Sequence, residues 1–334
     1  MNTNIIVAIT QGVYEKGKDV YERGTEKGLI CIPVPADETG LAAAVKEQGA
    51  KHAVIGITNY ADALYEALPG GGVLARFGVG YDNINLARAT EKGLLCTNTP
   101  GVLEDSVAEM TIALILSAAR HVPEMNESTR KGGWTPRKGM ELRGKRIAVI
   151  GCGQIGCSVA RIASAGFGME VIGCEISDVD TEKMKREHGF SLLVKDFAEA
   201  VNLADFVTLH IPSIPATHHF INTRRLETIP RKAWLINTSR GTVADETALY
   251  DAIESGSLSG AALDVFETEP YVPAEPEKDL RKLPNVILVP HVSSYTEDAC
   301  RRIADRTLQN IVLAERCEFE KIDLLNPEVL RNEK

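Results

Sequence analysis

The sequence predicts an α/β protein built from two doubly wound parallel sheets, the smaller domain being discontinuous along the chain. Three observations carry this. A length of 334 residues exceeds what one hydrophobic core usually supports. From Asp105 onward, short β-branched runs alternate with segments of helical period. The first hundred or so residues repeat that alternation, and an amphipathic stretch at 297–313 has no strand left to feed, so it is expected to pack back on the first region.

Taken in order, apolar runs at 5–9, 53–57, 73–77 and 94–97 read as buried strands of the first domain. A long helix is expected at 106–120, where Ser106-Val-Ala-Glu109 has the capping-box pattern before four apolar turns. Strands follow at 146–150, 170–175, 206–210, 234–238, 261–264 and 286–289, with helical segments such as 158–165 and 246–253 between them. The expected domains are therefore 1–103 with 291–334, and 104–290.

Composition narrows the function. The chain is 44% hydrophobic and 25% charged, ordinary for a globular protein, and no apolar run is long enough to cross a bilayer. The amino terminus lacks the basic region and long apolar stretch of a secretory signal, so a soluble, cytoplasmic protein is expected. Seven cysteines, an odd number mostly in apolar segments, suit reduced thiols rather than a disulfide framework. Zinc is not expected, because Cys152 and Cys157 lack the paired spacing and a matching histidine cluster, and His218-His219 reads as a solvated loop. A net charge of −9 disfavours nucleic acid as a partner, whereas a small anion needs only one or two local cations.

The chemistry starts at Gly151-Cys-Gly153-Gln-Ile-Gly156, which follows a strand directly and opens a helix, where backbone N–H groups and the helix dipole can hold a pyrophosphate. Glu175 lies 19 positions after Gly156 at the end of the next strand, placed to bind ribose hydroxyls. A carboxylate there repels a 2′-phosphate and no Lys or Arg follows before Lys183, so NAD is expected over NADP. A packing turn or a methyltransferase loop would also show glycines followed by an acid. Further along, His210, Arg240, Asp264 and His291 recur at the carboxyl ends of successive strands, the edge at which open α/β sheets bind ligands. Each alone reads equally well as a capped loop, a solvated arginine or a satisfied core histidine; their shared edge favours a site.

Several motifs together resemble one family. They are Arg143-Gly144-Lys145 leading into Gly151 to Gly156, Ile236-Asn-Thr-Ser-Arg240-Gly241, Gly260-Ala-Ala-Leu-Asp264-Val-Phe-Glu-Thr-Glu269-Pro270 and Pro290-His291, with Gly78-Val-Gly80-Tyr-Asp-Asn83 and Asn98-Thr-Pro100-Gly101 in the first domain. The pattern is similar to the D-isomer-specific 2-hydroxyacid dehydrogenases. That resemblance implies two Rossmann-like domains, the smaller binding substrate, and reversible reduction of a small 2-oxo acid with NAD. It implies that Arg240 grips the substrate carboxylate, that His291 is the acid and base, and that Glu269 holds the far nitrogen of His291. The backbone N–H groups of Val79 and Gly80 would also meet the carboxylate, and Asp264 would anchor the nicotinamide carboxamide. Gly151, Gly153, Gln154, Ile155, Gly156, Glu175, His210, Thr217 and Thr238 would line the dinucleotide site, and a homodimer would form through the helix after Asp105. The chemistry asks for the same groups: a cation for a carboxylate, a proton donor for the new alkoxide and a hydride beside them.

Departures from relatives narrow the substrate. The chain has Ile57-Thr58-Asn59-Tyr60 where 3-phosphoglycerate dehydrogenases carry an Arg-Ser pair, Glu269 where formate dehydrogenases use Gln, and Val79 where the phosphite enzyme has Lys. A small or medium 2-oxo acid remains, with 3-phosphoglycerate oxidation or an NAD-sensing scaffold as alternatives. Tyr60, Tyr81 and Trp134 read as pocket, core or interface aromatics.

Overall fold

The computed structural model describes residues 5–331, so residues 1–4 and 332–334 of the expected first domain lie outside the described residues. The chain divides into two compact units, residues 5–103 with 295–331, and Glu104–Ser294. His291 thus belongs with the second unit rather than opening the return to the first. The physical reason is local: the N–H groups of His291, Val292 and Ser293 all end on Asp264.

In the first unit β1 (Ile5–Thr10), β2 (Leu29–Val34), β3 (His52–Ile55), β4 (Val73–Arg76) and β5 (Leu95–Thr97) form one sheet in the order β2-β1-β3-β4-β5. All pairs are parallel, so both faces are covered and β3, β4 and β5 are buried at every position. β2 was not anticipated. It is an edge strand, largely half-buried, and contains Pro33, which a central strand would not accommodate. The helix Glu38–Gln48 starts where the Asp37 carboxylate accepts the Gly40 N–H at 2.9 Å and stops at Gly49, which takes the left-handed conformation.

The carboxyl-terminal helix Glu297–Glu315 buries Ile303, Ala304, Leu308 and Ile311 within this unit. The chain then runs along β5: Leu324 bridges Thr97 antiparallel, the Leu325 N–H donates to Cys96 O at 2.8 Å, and the Cys96 N–H donates to Asn326 Oδ1 at 2.9 Å. The last turn of the unit therefore covers a sheet edge that would otherwise be open.

In the second unit β6 (Arg146–Ile150), β7 (Glu170–Cys174), β8 (Leu192–Val194), β9 (Phe206–Leu209), β10 (Trp234–Asn237), β11 (Gly260–Leu263) and β12 (Val286–Leu288) form a parallel sheet in the order β12-β11-β10-β9-β6-β7-β8. This adds one strand to the six expected. β8 is three residues at the sheet edge with Leu192 exposed, too short and too wet to show an apolar run. Alternation sorts the strand residues onto two cores: Ala148, Ile150, Val207, Leu209 and Leu235 pack with Phe197 and Leu249 on one face. Ile147, Val149, Phe206 and Ile236 pack with Ile112, Ile115 and Val159 on the other. The helix expected at 106–120 is Glu104–Arg120, so Ser106 is buried in its first turn and is not the capping residue. Its apolar face is filled within its own unit. No helix among the described residues is long and apolar enough to cross a membrane.

One buried titratable group gives the first unit a pH dependence. His52 Nδ1 accepts the Val73 N–H at 2.9 Å, while Nε2 lies 3.3 Å from Glu315 Oε1 outside hydrogen-bonding geometry. Burial pushes the imidazole down to about 4 from its ordinary 6.5, against the pull of Glu315 and with the help of Lys51. Between those values the unfolded chain binds a proton that the folded chain refuses. Stability is therefore full above pH 6.5 and declines as the pH falls toward 4, by roughly 3 kcal/mol for this group. In urea unfolding at pH 7 and near pH 4.5, His52→Asn should lose less stability on acidification than the wild type; parallel losses would remove His52 as the titrating group.

Candidate active site

The turn after β6 is shaped by clashes that only glycine avoids. Gly151 has φ 91°, and a Cβ there would stand 2.6 Å from the His210 carbonyl oxygen. A Cβ on Gly156 would stand 2.1 Å from Gly151 O, so this residue lets the helix Gln154–Arg161 close onto the turn. Gly153 differs: nothing lies within 4 Å of its would-be Cβ. Gly153 and Gln154 are exposed and Ile155 is half-buried, and the first N–H groups of the helix have no partner within it. Open space above a helix amino terminus fits a dinucleotide pyrophosphate.

Glu175, just past β7, is tied to this turn. Its Oε2 accepts the Cys152 N–H at 3.0 Å and its Oε1 the Ser177 N–H at 2.9 Å. Burial opposes ionisation, yet the N–H groups of Ser177 and Cys152 outweigh it and hold the carboxyl below its usual range. Each oxygen keeps lone-pair capacity for a ribose hydroxyl. Burial pushes the Cys157 and Cys174 thiols up to about 11, and Cys152 higher still, which leaves three inert small side chains packed behind the turn.

Because the sheet is parallel, the ends of β6, β9, β10, β11 and β12 share one edge. His210 follows β9, with Nε2 3.0 Å from Thr208 Oγ1; burial pushes its imidazole down to about 3, so it is neutral. Thr217 lies in the exposed loop beyond, its hydroxyl donating to Pro212 O at 2.6 Å. Thr238 is buried past β10, 2.9 Å from the Thr111 hydroxyl.

Arg240 sits three residues past β10 in a loop clamped by Asn237. Asn237 Oδ1 accepts the Ser239 N–H at 3.0 Å, and Nδ2 donates to Arg240 O at 2.8 Å. At Gly241 a Cβ would lie 1.8 Å from Phe266 C, so this loop presses directly on the one that carries Glu269. Glu246 and Glu267 fasten the same junction from below: each backbone N–H donates to the other's carboxylate, at 3.0 and 2.7 Å. Burial pushes Glu246 up to about 7, and the nearby Glu267, Glu269 and Asp245 act in the same direction. His219, expected in a solvated loop, instead places Nε2 2.9 Å from Glu267 Oε2. No group of three or more His, Cys, Asp or Glu able to hold a metal occurs among the described residues.

His291 follows β12 with φ 51°, its N–H donating to Asp264 O at 2.8 Å. Its Nδ1 is 2.6 Å from Glu269 Oε2, while Glu269 Oε1 accepts the Phe266 N–H at 3.0 Å. With Nδ1 engaged, Nε2 is the nitrogen left for chemistry. Burial raises Glu269, but the bond and charge of His291, the Phe266 N–H and the charge of Arg240 together hold it below its usual range. Asp264 is fully buried: Oδ1 accepts the Val292 N–H at 2.7 Å and Oδ2 the Ser293 N–H at 2.9 Å. Its work in this structure is thus to hold the histidine loop, a role that sequence reasoning did not assign.

Val79 and Gly80 lie in the first unit, in the turn after β4. Gly78 O accepts the Thr99 N–H at 3.1 Å and Val79 O accepts Asn98 Nδ2 at 2.7 Å. In a trans peptide the N–H points opposite the preceding carbonyl, so the N–H groups of Val79 and Gly80 both face away from residues 98 and 99. Two successive N–H groups on one side form an anion-binding concavity. Tyr60 is a core residue, its hydroxyl donating to Ala36 O at 2.9 Å, whereas Tyr81 and Trp134 are exposed.

Asn98, Asn237, Glu246 and Glu267 were not singled out from the sequence. Asn98, Asn237 and Glu267 did lie inside motifs quoted for other residues, which was the only available signal for them.

Known proteins match this chain in sequence and in fold. Residues 112–293 match the family described as D-isomer specific 2-hydroxyacid dehydrogenase, NAD binding domain. The chain is 35% identical over 332 residues to a glyoxylate reductase of Korarchaeum cryptofilum, covering 97% of each protein. It superposes with TM-score 0.80 and 28% identity on the NADPH-dependent glyoxylate/hydroxypyruvate reductase of Sinorhizobium meliloti, solved with NADP and malonate, covering 97% of each chain. A D-lactate dehydrogenase of Aquifex aeolicus, solved with NAD and lactic acid, gives TM-score 0.79 at 27% identity, covering 96% of this chain and 98% of that one. With its second unit matched by the family and nearly its whole length matched by a curated member, the chain belongs to the D-isomer-specific 2-hydroxyacid dehydrogenases and is an oxidoreductase.

Proposed function

We propose that the chain reduces a small 2-oxo acid to its D-2-hydroxy acid with NADH, reversibly, using Arg240, Glu269 and His291. The observation that carries this reading is the 2.6 Å contact of His291 Nδ1 with Glu269, which leaves Nε2 free on the strand edge that also bears Arg240. When bound, the reduced dinucleotide supplies the hydride for C2. His291 Nε2 then gives its proton to the oxygen on C2 as that oxygen gains charge, and takes a proton back in oxidation. Glu269 keeps the ring oriented and the other nitrogen occupied. Arg240 offers the cation for the substrate carboxylate and polarises the carbonyl. The Val79 and Gly80 N–H groups are the second carboxylate contact in this reading.

NAD is preferred over NADP because Glu175 is held ionised where a 2′-phosphate would have to lie. The turn itself argues for a dinucleotide, since Gly151 and Gly156 are required by packing while Gly153 is required by nothing in the protein.

Four outcomes are expected. Against a panel of 2-oxo acids (glyoxylate, hydroxypyruvate, phosphohydroxypyruvate, pyruvate, 2-oxoisocaproate), NADH oxidation should show a preferred substrate. His291→Ala should then lower kcat about 100- to 10,000-fold with the NADH Kd unchanged; near-normal turnover would remove His291 as the acid. Glu175→Ala should raise the ratio of kcat/KM with NADPH to that with NADH, and an unmoved ratio would mean that Glu175 does not face the ribose. Gly153→Ala should keep the wild-type Tm and weaken NADH binding, whereas Gly156→Ala should lower the Tm outright; equal effects of the two on folding would contradict the open space over Gly153.

A further inference from the structure

The direction of the Gly80 N–H is set by a side chain rather than by the main chain. The Val79 carbonyl and the Gly80 N–H belong to one peptide plane, so whatever fixes one fixes the other. The carbonyl is fixed by Asn98 Nδ2 at 2.7 Å. The preceding plane needs no such help, because Gly78 O is held by the main-chain N–H of Thr99 at 3.1 Å.

Asn98 is itself buried and held from behind by residues more than two hundred positions away. Asn310, on the carboxyl-terminal helix, donates from Nδ2 to Asn98 O at 3.0 Å and to Asp323 Oδ2 at 3.2 Å. Asp323 O accepts the Asn98 N–H at 3.4 Å, and the Asp323 carboxylate is paired with Arg306 at 3.0 Å. Asn98 and Asn310 are 7% and 1% exposed, so losing a partner here leaves a buried polar group unsatisfied. The network spans one unit only and ends on a single functional atom, the carbonyl opposite the Gly80 N–H.

We propose that Asn98, braced by Asn310 and Asp323, is a positioning residue that aims the Gly80 N–H at the carboxylate of the 2-oxo acid. The inference rests on the reading of Val79 and Gly80 as a carboxylate contact. Without Asn98 the plane is free to rotate, and the concavity loses one of its two aligned donors before substrate arrives. The cost falls on substrate capture, not on the acid–base pair, which is built in the other unit.

Steady-state kinetics with the preferred acid and with its methyl ester test this. Asn98→Ala should raise KM for the acid about fivefold or more, the worth of one ordered hydrogen bond, with kcat held within about twofold. The NADH Kd should not move, and the wild-type preference for acid over ester should shrink by the factor seen in KM. Asn98→Asp, of the same shape but with no donor for Val79 O, should behave alike. A fall in kcat at unchanged KM, or an undiminished acid preference in both variants, would overturn the proposal, as would failure of both to fold, which marks a purely structural residue. A wild-type enzyme that takes ester as readily as acid would overturn the carboxylate reading itself, a result told apart from the failure of Asn98 alone.

Discussion

A carboxylate with no exposure to water holds the second unit's functional edge together. Asp264 stands at the end of β11 and receives two consecutive N–H groups, those of Val292 and Ser293, while its own carbonyl receives that of His291. Burial of a charge on this scale costs several kcal/mol unless hydrogen bonds replace the lost water. Burial pushes the Asp264 carboxyl up, and the Ser293 and Val292 contacts pull it back only in part. That expense yields a loop whose histidine sits at φ 51°, a conformation that non-glycine residues avoid unless their surroundings impose it. The ring can then meet Glu269 on one side and leave Nε2 free on the other.

A second constraint binds the loops to one another. Gly241 has no room for a Cβ because Phe266 lies against it, and the exchanged bonds of Glu246 and Glu267 lock the same contact. The loop presenting Arg240 and the loop presenting Glu269 therefore form one rigid seam, and the charge of Arg240 is among the influences that keep Glu269 ionised. Preorganised charge of this kind is effective because it needs no rearrangement as the reaction proceeds.

The first unit solves a different problem by different means. What it orders after β4 is a pair of N–H groups rather than charges, and the ordering works through peptide orientation. A main-chain bond fixes one plane and an asparagine fixes the next. The asparagine is braced by Asn310 and Asp323 of the carboxyl-terminal segment, which next runs along β5 and covers a sheet edge.

The sequence by itself determined a good deal. Buried parallel strands must be nearly all apolar, so β1, β3 to β7 and β9 to β12 stand out as short runs within a residue or two of their observed bounds. The glycine turn and Glu175 are legible from a strand, a tight turn and a helix in succession, and Arg240 and His291 from their places past strand ends, whereas Glu269 was expected only through the family resemblance. The edges were not legible, since β2 tolerates a proline and β8 is short and wet, and neither carries the continuous apolar run of a central strand. Ser106 had a capping pattern yet is buried inside a helix, because packing in the unit carried that helix past the local signal. Only the tertiary structure decided the tasks of Asn98, Asn237 and Asp264. Each is a polar side chain whose meaning lies in which backbone group it meets. For Asp264 and Asn98 the deciding partners are Val292, Ser293 and Asn310, far along the chain and brought close only by the sheet register and the returning helix.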